Sequence, residues 1–161
     1  MSNRVYAIAD THFGHAKIAA LRGYASVEEH DRDLVSRWNS TVRKNDTVWH
    51  LGDVYFGGKD AHHIIAQLNG VKRLVLGNHD TYGIQIYQLY FDKIFGAAQM
   101  YGCILTHIPV ADQQLQTRYR LNVHGHLHAW YLNDARYRCV SAEHVDLRPA
   151  LLRDVIDGAL N

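Results

Sequence analysis

The chain is poor in cysteine and proline, with two of each in 161 residues. Cys103 and Cys139 cannot build a disulfide framework, so they read as buried thiols of a reducing compartment. With 47% hydrophobic and 20% charged residues, the composition is that of a globular protein. It excludes disorder, collagen and coiled coil. A charge excess is also missing. Seventeen Lys and Arg against sixteen Asp and Glu leave +1, so no bulk field draws the chain to nucleic acid or membrane. No apolar run approaches the ~18 residues of a membrane span. Val5 to Ala9 is too short for the apolar core of a signal peptide before Asp10 breaks it. Together these absences lead us to expect a cytoplasmic protein with no membrane partner. The length fits one domain, residues 1–161, able to bury roughly 70% of its unfolded surface.

What is abundant is histidine: twelve, against three tryptophans and two methionines. Many stand beside Asp, Asn or Gly, a pattern that suggests a metal site.

Strand-like and amphipathic segments alternate. Arg4–Ala9 reads as a buried strand ending at Asp10. Ser26–Val42 reads as a helix, with Ser26 and Glu29 as a capping box and Val27, Leu34, Trp38 and Val42 on one face. Thr47–Leu51 is a second strand, ending at Gly52-Asp53. Asp60 is placed to cap a helix carrying Ile64, Ile65 and Leu68, which Asn69-Gly70 stops. Val71–Leu76 is a third strand. This order suggests a parallel sheet with right-handed crossovers. Downstream, Ile84–Tyr90 reads as a short helix. Lys93–Met100 and Cys103–Thr106 read as a hairpin about Tyr101-Gly102. Arg120–His124 and Tyr137–Ser141 are two more strands. Ile108–Tyr119 has no period and reads as a loop, and Pro149 opens a terminal helix. The pattern predicts an α/β fold with two packed sheets flanked by helices.

Five polar clusters each follow an apolar strand: Asp10-Thr11-His12, Gly52-Asp53, Gly77-Asn78-His79-Asp80, Thr106-His107 and His124-Gly125-His126-Leu127-His128. Strand ends form the ligand crevice of open α/β sheets. A lone Asp-x-His or a lone His carries little, since most histidines are structural. Five clusters, each at a strand end, would need five coincidences. The donor set mixes carboxylates, an amide and imidazoles without thiolate. That suits Mn, Fe, Zn, Co or Ni better than Ca or Mg.

The order D-x-H, GD, GNHD, H, GHxH resembles the calcineurin-like metallophosphoesterase superfamily, from Asp10 to His128. Phe13-Gly14-His15, Trp49-His50-Leu51 and the tail VSAEHVDLRPALL resemble its small bacterial and phage members. The resemblance implies a four-layer α-β-β-α sandwich of two mixed β-sheets flanked by helices. It implies two divalent transition-metal ions, with Mn2+ expected. Asp10, His12, Asp53 and His128 would hold one; Asp53, Asn78, His107 and His126 would hold the other. Asp53 would bridge through both oxygens. A bridging hydroxide would attack phosphorus in line. The resemblance casts His79 as the catalytic histidine that is not a ligand, neutralising the phosphoryl oxygens or protonating the leaving group. Asp80 would orient a histidine.

The expected function is therefore a dinuclear phosphoesterase, with phosphodiesters ahead of phosphomonoesters. A nucleotide, a cyclic nucleotide or a nucleic-acid end is the kind of small substrate an uncapped site admits. The expected state is monomer or homodimer, in the host cytoplasm if a phage encodes it. A contrasting reading is an interaction scaffold, since the superfamily includes a retromer subunit with a decayed site. That reading requires missing ligands, and here every ligand position is filled.

Other residues carry two readings each. His15 touches phosphate or caps a helix. Arg22 binds a phosphate oxygen or is solvated. Gln113, Gln114, Gln116 and Arg118 follow His107 in a loop and are placed to reach substrate. Tyr55 and Phe56 stack on a base or pack. Arg118-Tyr119-Arg120 and Arg136-Tyr137-Arg138 offer aromatic rings between cations, as nucleic-acid contacts do, or are strands with Arg facing water. His50 and His124 read as buried, hydrogen-bonded residues, because alternation turns them from the neighbouring ligands. His62 and His63 sit in a surface helix, and His30 and His144 carry no motif signal.

Overall fold

Val5–Ile8 (β1) is apolar, and Tyr6, Ala7 and Ile8 are buried, as a strand covered on both faces must be. The computed structural model describes residues 3–58 and 61–159. In chain order after β1 come α1 (Ala16–Leu21), α2 (Val27–Thr41), β2 (Thr47–His50) and a 3-10 segment (Ala61–Gln67). Next are β3 (Val71–Val75), α3 (Ile84–Tyr87), β4 (Lys93–Phe95), β5 (Ala98–Met100) and β6 (Cys103–Leu105). The chain closes with α4 (Gln113–Thr117), β7 (Asn122–His124), β8 (Tyr137–Cys139), a 3-10 turn (Ala142–His144), β9 (Ala150–Leu151) and α5 (Leu152–Asp157).

Two mixed sheets result, flanked by helices, as the sequence predicts. The first has the order β4-β3-β2-β1-β9, parallel except for β9. The second has the order β5-β6-β7-β8, parallel except for β5. Among the described residues no helix is long and apolar enough to cross a membrane.

Helix α2 begins as expected, with Ser26 Oγ accepting from Glu29 N at 3.1 Å. Glu29 returns the bond to Ala25 N, one residue before the cap. Its buried face is His30, Leu34 and Trp38, so a histidine joins the stripe. Trp38 is held twice: its Nε1 donates to Asn69 O at 2.9 Å, and its ring stacks on His50 of β2.

Four expectations change. The segment 93–100 is not one strand. It leaves the first sheet after Phe95 and enters the second at Ala98. Only β5 pairs with β6 in the hairpin, where Tyr101 (φ 51°) and Gly102 (φ 76°) both take positive φ, as a tight primed turn requires. The predicted loop 108–119 contains α4, whose Leu115 is buried; one apolar anchor gives no readable period. Pro149 precedes not a helix but β9, which caps the edge of β1 through Tyr6↔Leu151 and Ala7↔Ala150 before α5 begins. Helix α1 had no prediction, since six residues are too few for a periodic signal. The helix near Ile64 is a 3-10 segment, and its expected cap Asp60 lies outside the described residues.

Truncating Trp38 removes its stacking on His50 of β2 and its bond to Asn69 O. Trp38→Ala is expected to cost about 3–5 kcal/mol, each kcal/mol lowering the melting temperature by roughly 2–4 °C. Leu21→Ala, at a site 73% exposed, serves as the neutral control in the same thermal melts.

Candidate metal centre

The polar clusters meet because the strand ends keep pairing past the strands. Asp10 N donates to Gly52 O at 2.9 Å, His12 N to Asp53 O at 3.1 Å and Gly125 N to His107 O at 2.9 Å. Glycine permits this closeness. A Cβ on Gly52 (φ +91°) would lie 2.6 Å from Gly77 N and 2.7 Å from His107 Nδ1. On Gly125 it would strike Ala9 Cβ and lie 2.7 Å from Asp10 Oδ2. The non-glycine residues Asp10, His12, Asp53, His126 and His128 all have φ between 48° and 70°. Such backbone costs free energy and clusters at functional sites.

Two groups of metal-ligating atoms form. One is Asp10, His12 and His128; the other is Asp53, His107 and His126. Asp53 Oδ2 stands between them, 3.6 Å from His12 Nε2 and 3.4 Å from His107 Nε2. Its other oxygen, Oδ1, accepts from His79 N at 2.9 Å. Oδ2 is thus the oxygen that lies within 4 Å of a histidine nitrogen of each group.

His107 Nδ1 donates to Leu51 O at 2.7 Å. That fixes the ring and turns Nε2 toward Asn78 Oδ1 (2.8 Å) and His126 Nδ1 (3.2 Å); burial works to lower the His107 pKa, but Asp53, Asp10 and the Leu51 carbonyl outweigh it and raise it. In the other group Asp10 Oδ1 and both ring nitrogens of His12 are buried without hydrogen-bond partners. Orphaned acceptors beside a buried carboxylate fit a cation. The residues present therefore fit two divalent metal ions.

The electrostatics agree. Burial pushes the Asp10 carboxyl up to about 6, against the opposing pull of His107, the Ser141 hydroxyl, His128 and the His126 N–H. Burial holds His12 near 3, so its ring is neutral and one of its two nitrogens carries an available lone pair. For Asp53 burial works upward, but the hydrogen bond and charge of His107, with His79 N–H and His12, outweigh it and keep it ionised, near 2.

The remaining candidates are placed as follows. His79 is exposed at the mouth, its ring 5.8 Å from that of His12 and 6.0 Å from that of Phe56. Asp80 orients no histidine. Its Oδ2 accepts from Asp53 N (2.9 Å) and Gly77 N (2.8 Å), and its Oδ1 from Val54 N (3.0 Å). It staples two ligand loops, because three backbone donors left by sharp turns outcompete a ring. His15 caps α1, its Nδ1 accepting from Ile18 N, while its ring packs at 4.5 Å on Phe56.

Arg22 is neither solvated nor open to phosphate. Its side chain is 4% exposed and every guanidinium nitrogen has a protein acceptor: Glu143 Oε1, Asp10 O, Thr11 O and His30 Nε2. Arg118 is exposed, and its guanidinium lies over the Tyr119 ring. Tyr119 is buried, Tyr137 donates to Val110 O, and Arg136 is paired with Asp112 and Asp134. The exposed faces of Gln113, Gln114 and Gln116 lie on α4. Tyr55 is core, stacked at 4.6 Å on Tyr82, whereas Phe56 is 44% exposed.

His50 and His124 are buried and hydrogen-bonded, to Thr11 Oγ1 and Gly125 O, and burial keeps their pKa values near 3 and 4. His62 and His63 both share hydrogen bonds with the Tyr90 hydroxyl. Sequence reading missed Glu143, whose Oε1 lies 3.2 Å from His128 Nδ1. Its one trace was its place in the tail VSAEHVDLRPALL. It missed His30 as well, which the buried i, i+4, i+8 spacing with Leu34 and Trp38 would have marked.

The family model for calcineurin-like phosphoesterases matches residues 3–157. An uncharacterized protein of Methanocaldococcus jannaschii is 33% identical over 141 residues, 81% of this chain and 73% of that protein. The gene 66 protein of Mycobacterium phage L5 is 34% identical over 164 residues, 80% of this chain and 79% of that protein. Among solved structures, a protein of unknown function from Aquifex aeolicus superposes with a TM-score of 0.77 at 26% identity, covering 98% of this chain and 100% of that one. Because the family match spans every loop that contributes to the two groups, the chain belongs to the calcineurin-like phosphoesterase family.

Proposed function

We propose that the protein is a dinuclear-metal phosphoesterase acting on phosphodiesters, with small nucleotides or nucleic-acid ends as the substrate class. The observation that carries this reading is the position of Asp53 Oδ2 between His12 Nε2 and His107 Nε2. One carboxylate oxygen there serves two groups of imidazole and carboxylate ligands. Asp10, His12, Asp53 and His128 would hold one ion; Asp53, Asn78, His107 and His126 would hold the second. When bound, two such cations supply Lewis acidity toward the phosphoryl group and a water acidified to near neutral pH.

The chain's own residues do the rest. Asp53 offsets the repulsion of the ions and is itself fixed by the N–H of His79 and by Asp80 on its own N–H. His79, exposed beside His12, reaches the leaving oxygen or the phosphoryl oxygens from the solvent side. Phe56 and His15 form one wall of that mouth. Every ligand position is filled, which favours this reading over an interaction scaffold.

Three measurements test it. Asp53→Asn is expected to lower metal content and abolish hydrolysis of a chromogenic phosphodiester, because the shared charge is lost. Two bound metals with wild-type turnover would refute the bridging role. Chelated protein is expected to regain activity best with Mn, then Ni or Co, and poorly with Mg, because imidazole prefers softer ions. Full recovery with Mg alone would count against this ligand set.

His79→Ala is expected to keep both metals and the melting temperature while turnover falls about 10²–10⁴-fold. The loss should be larger for an alkoxide leaving group, which needs a proton, than for nitrophenolate. Equal losses would make His79 an electrostatic stabiliser of the phosphoryl oxygens instead.

A further inference from the structure

A continuous hydrogen-bonded chain leads away from the first metal group into the helices. It begins at His128, whose Nδ1 lies 3.2 Å from Glu143 Oε1. The same oxygen accepts from Arg22 Nε (3.0 Å) and Nη2 (2.8 Å). Arg22 then turns back on the metal group from behind, donating to Asp10 O at 2.6 Å and Thr11 O at 3.0 Å. Its Nη1 also meets His30 Nε2 at 3.0 Å. An arginine can only donate, so His30 Nε2 accepts and its Nδ1–H donates to Asp31 Oδ1 at 2.8 Å. Asp31 Oδ2 takes Gly14 N at 2.9 Å, beside His15. Most of this network is buried: Arg22 is 4% and Glu143 22% exposed, and His30 is fully buried.

Two features give the network a purpose beyond packing. Asp10, His12 and His128 all hold left-handed backbone, φ 56°, 48° and 51°. Residues so strained stay put only if something outside the loop holds them. Arg22 supplies that hold on Asp10 and Thr11, and Glu143 supplies it on His128. In addition, a ring that donates through Nδ1 carries its lone pair on Nε2. Glu143 therefore sets which nitrogen of His128 is free, while the ring stacks at 5.1 Å on His12.

We propose that Glu143, braced by Arg22, is a positioning residue that fixes the ring of His128, and with it the affinity of the Asp10–His12–His128 group for metal. This rests on the two-metal reading above. Glu143 touches neither substrate nor reacting atoms, and it acts selectively. The Asp53–His107–His126 group has orienting contacts of its own, to Leu51 O and Asp80, and Glu143 touches none of its three side chains in the hydrogen bonds described.

The test is calorimetric titration of the full chelated chain with Mn2+, repeated with Co2+ while the visible absorption of cobalt is followed. Wild type is expected to bind two ions. Glu143→Gln removes the charge but keeps an oxygen for Arg22. It is expected to weaken one of the two binding steps about 10–100-fold and leave the other unchanged. One of two cobalt bands should shift; the melting temperature of the chelated protein falls as Arg22 loses its counter-charge, and the proposal is read from the selectivity between the two binding steps. Glu143→Asp should recover part of the affinity. Arg22→Lys keeps a cation but loses the fork, and should weaken the same step.

Two unchanged steps in Glu143→Gln, with wild type binding two ions, would overturn the positioning role and leave the two-metal reading standing. Equal weakening of both steps would make Glu143 merely structural, which also overturns the proposal. Fewer than two ions in the wild type would overturn the underlying reading and this inference with it.

Discussion

Asp10 and Asp53 are carboxylates taken out of water and set close together, and carboxylates so placed need compensation. The chain supplies part of it locally. Asp10 Oδ2 receives His126 N–H and the Ser141 hydroxyl, and Asp53 Oδ1 receives His79 N–H. The other two oxygens face His12, whose ring nitrogens have no hydrogen-bond partner, and Asp53 Oδ2 faces His107 as well. Everything around the strand ends follows from holding this electron-rich arrangement in place before any ion arrives. The left-handed ligand residues, the glycine contacts and the staple made by Asp80 are all parts of that cost.

The two sheets divide the work. The first contributes Asp10, His12, Asp53 and Asn78 from the ends of β1, β2 and β3. The second contributes His107, His126 and His128 from the ends of β6 and β7. Neither sheet alone completes either group. Asp10 is tied to the second sheet through His126 N and Ser141, and His107 to the first through Leu51 O. The groups therefore report on how well the sheets are docked, and core residues far from them act on the site through that docking.

Much of this was legible before any coordinates. Strand-terminal Asp, Asn and His are short-range signals, and the apolar runs before them announce their strands. The two clusters that could hold metal accordingly consist of Asp10, His12, Asp53, His107, His126 and His128, all in the motifs. What escaped was set by long-range partners. Arg22 looked like an exposed loop arginine, yet its acceptors are two backbone carbonyls, a helix histidine and Glu143, more than a hundred residues on. Asp80 sits beside His79 in sequence, and its choice of three backbone donors over a ring depends on how two loops cross. The split of 93–100 was invisible because Gly96 and Ala97 change the sheet without interrupting the pattern. Helix α4 was hidden for want of more than one buried residue.

The bond between Asp10 and Ser141 spans 131 positions. On a ribosome adding about 5–20 residues per second, Asp10 emerges several seconds ahead of its partner. During that interval β1 to β4 can assemble, since their crossovers are local. The aspartate stays in water, where it is cheap to keep charged. The second sheet needs β7 and β8, and Asp10 its bond to Ser141, before the carboxylate is enclosed. The hydrogen bond that seals the carboxylate therefore has to wait for Ser141, however early the strand carrying Asp10 is made.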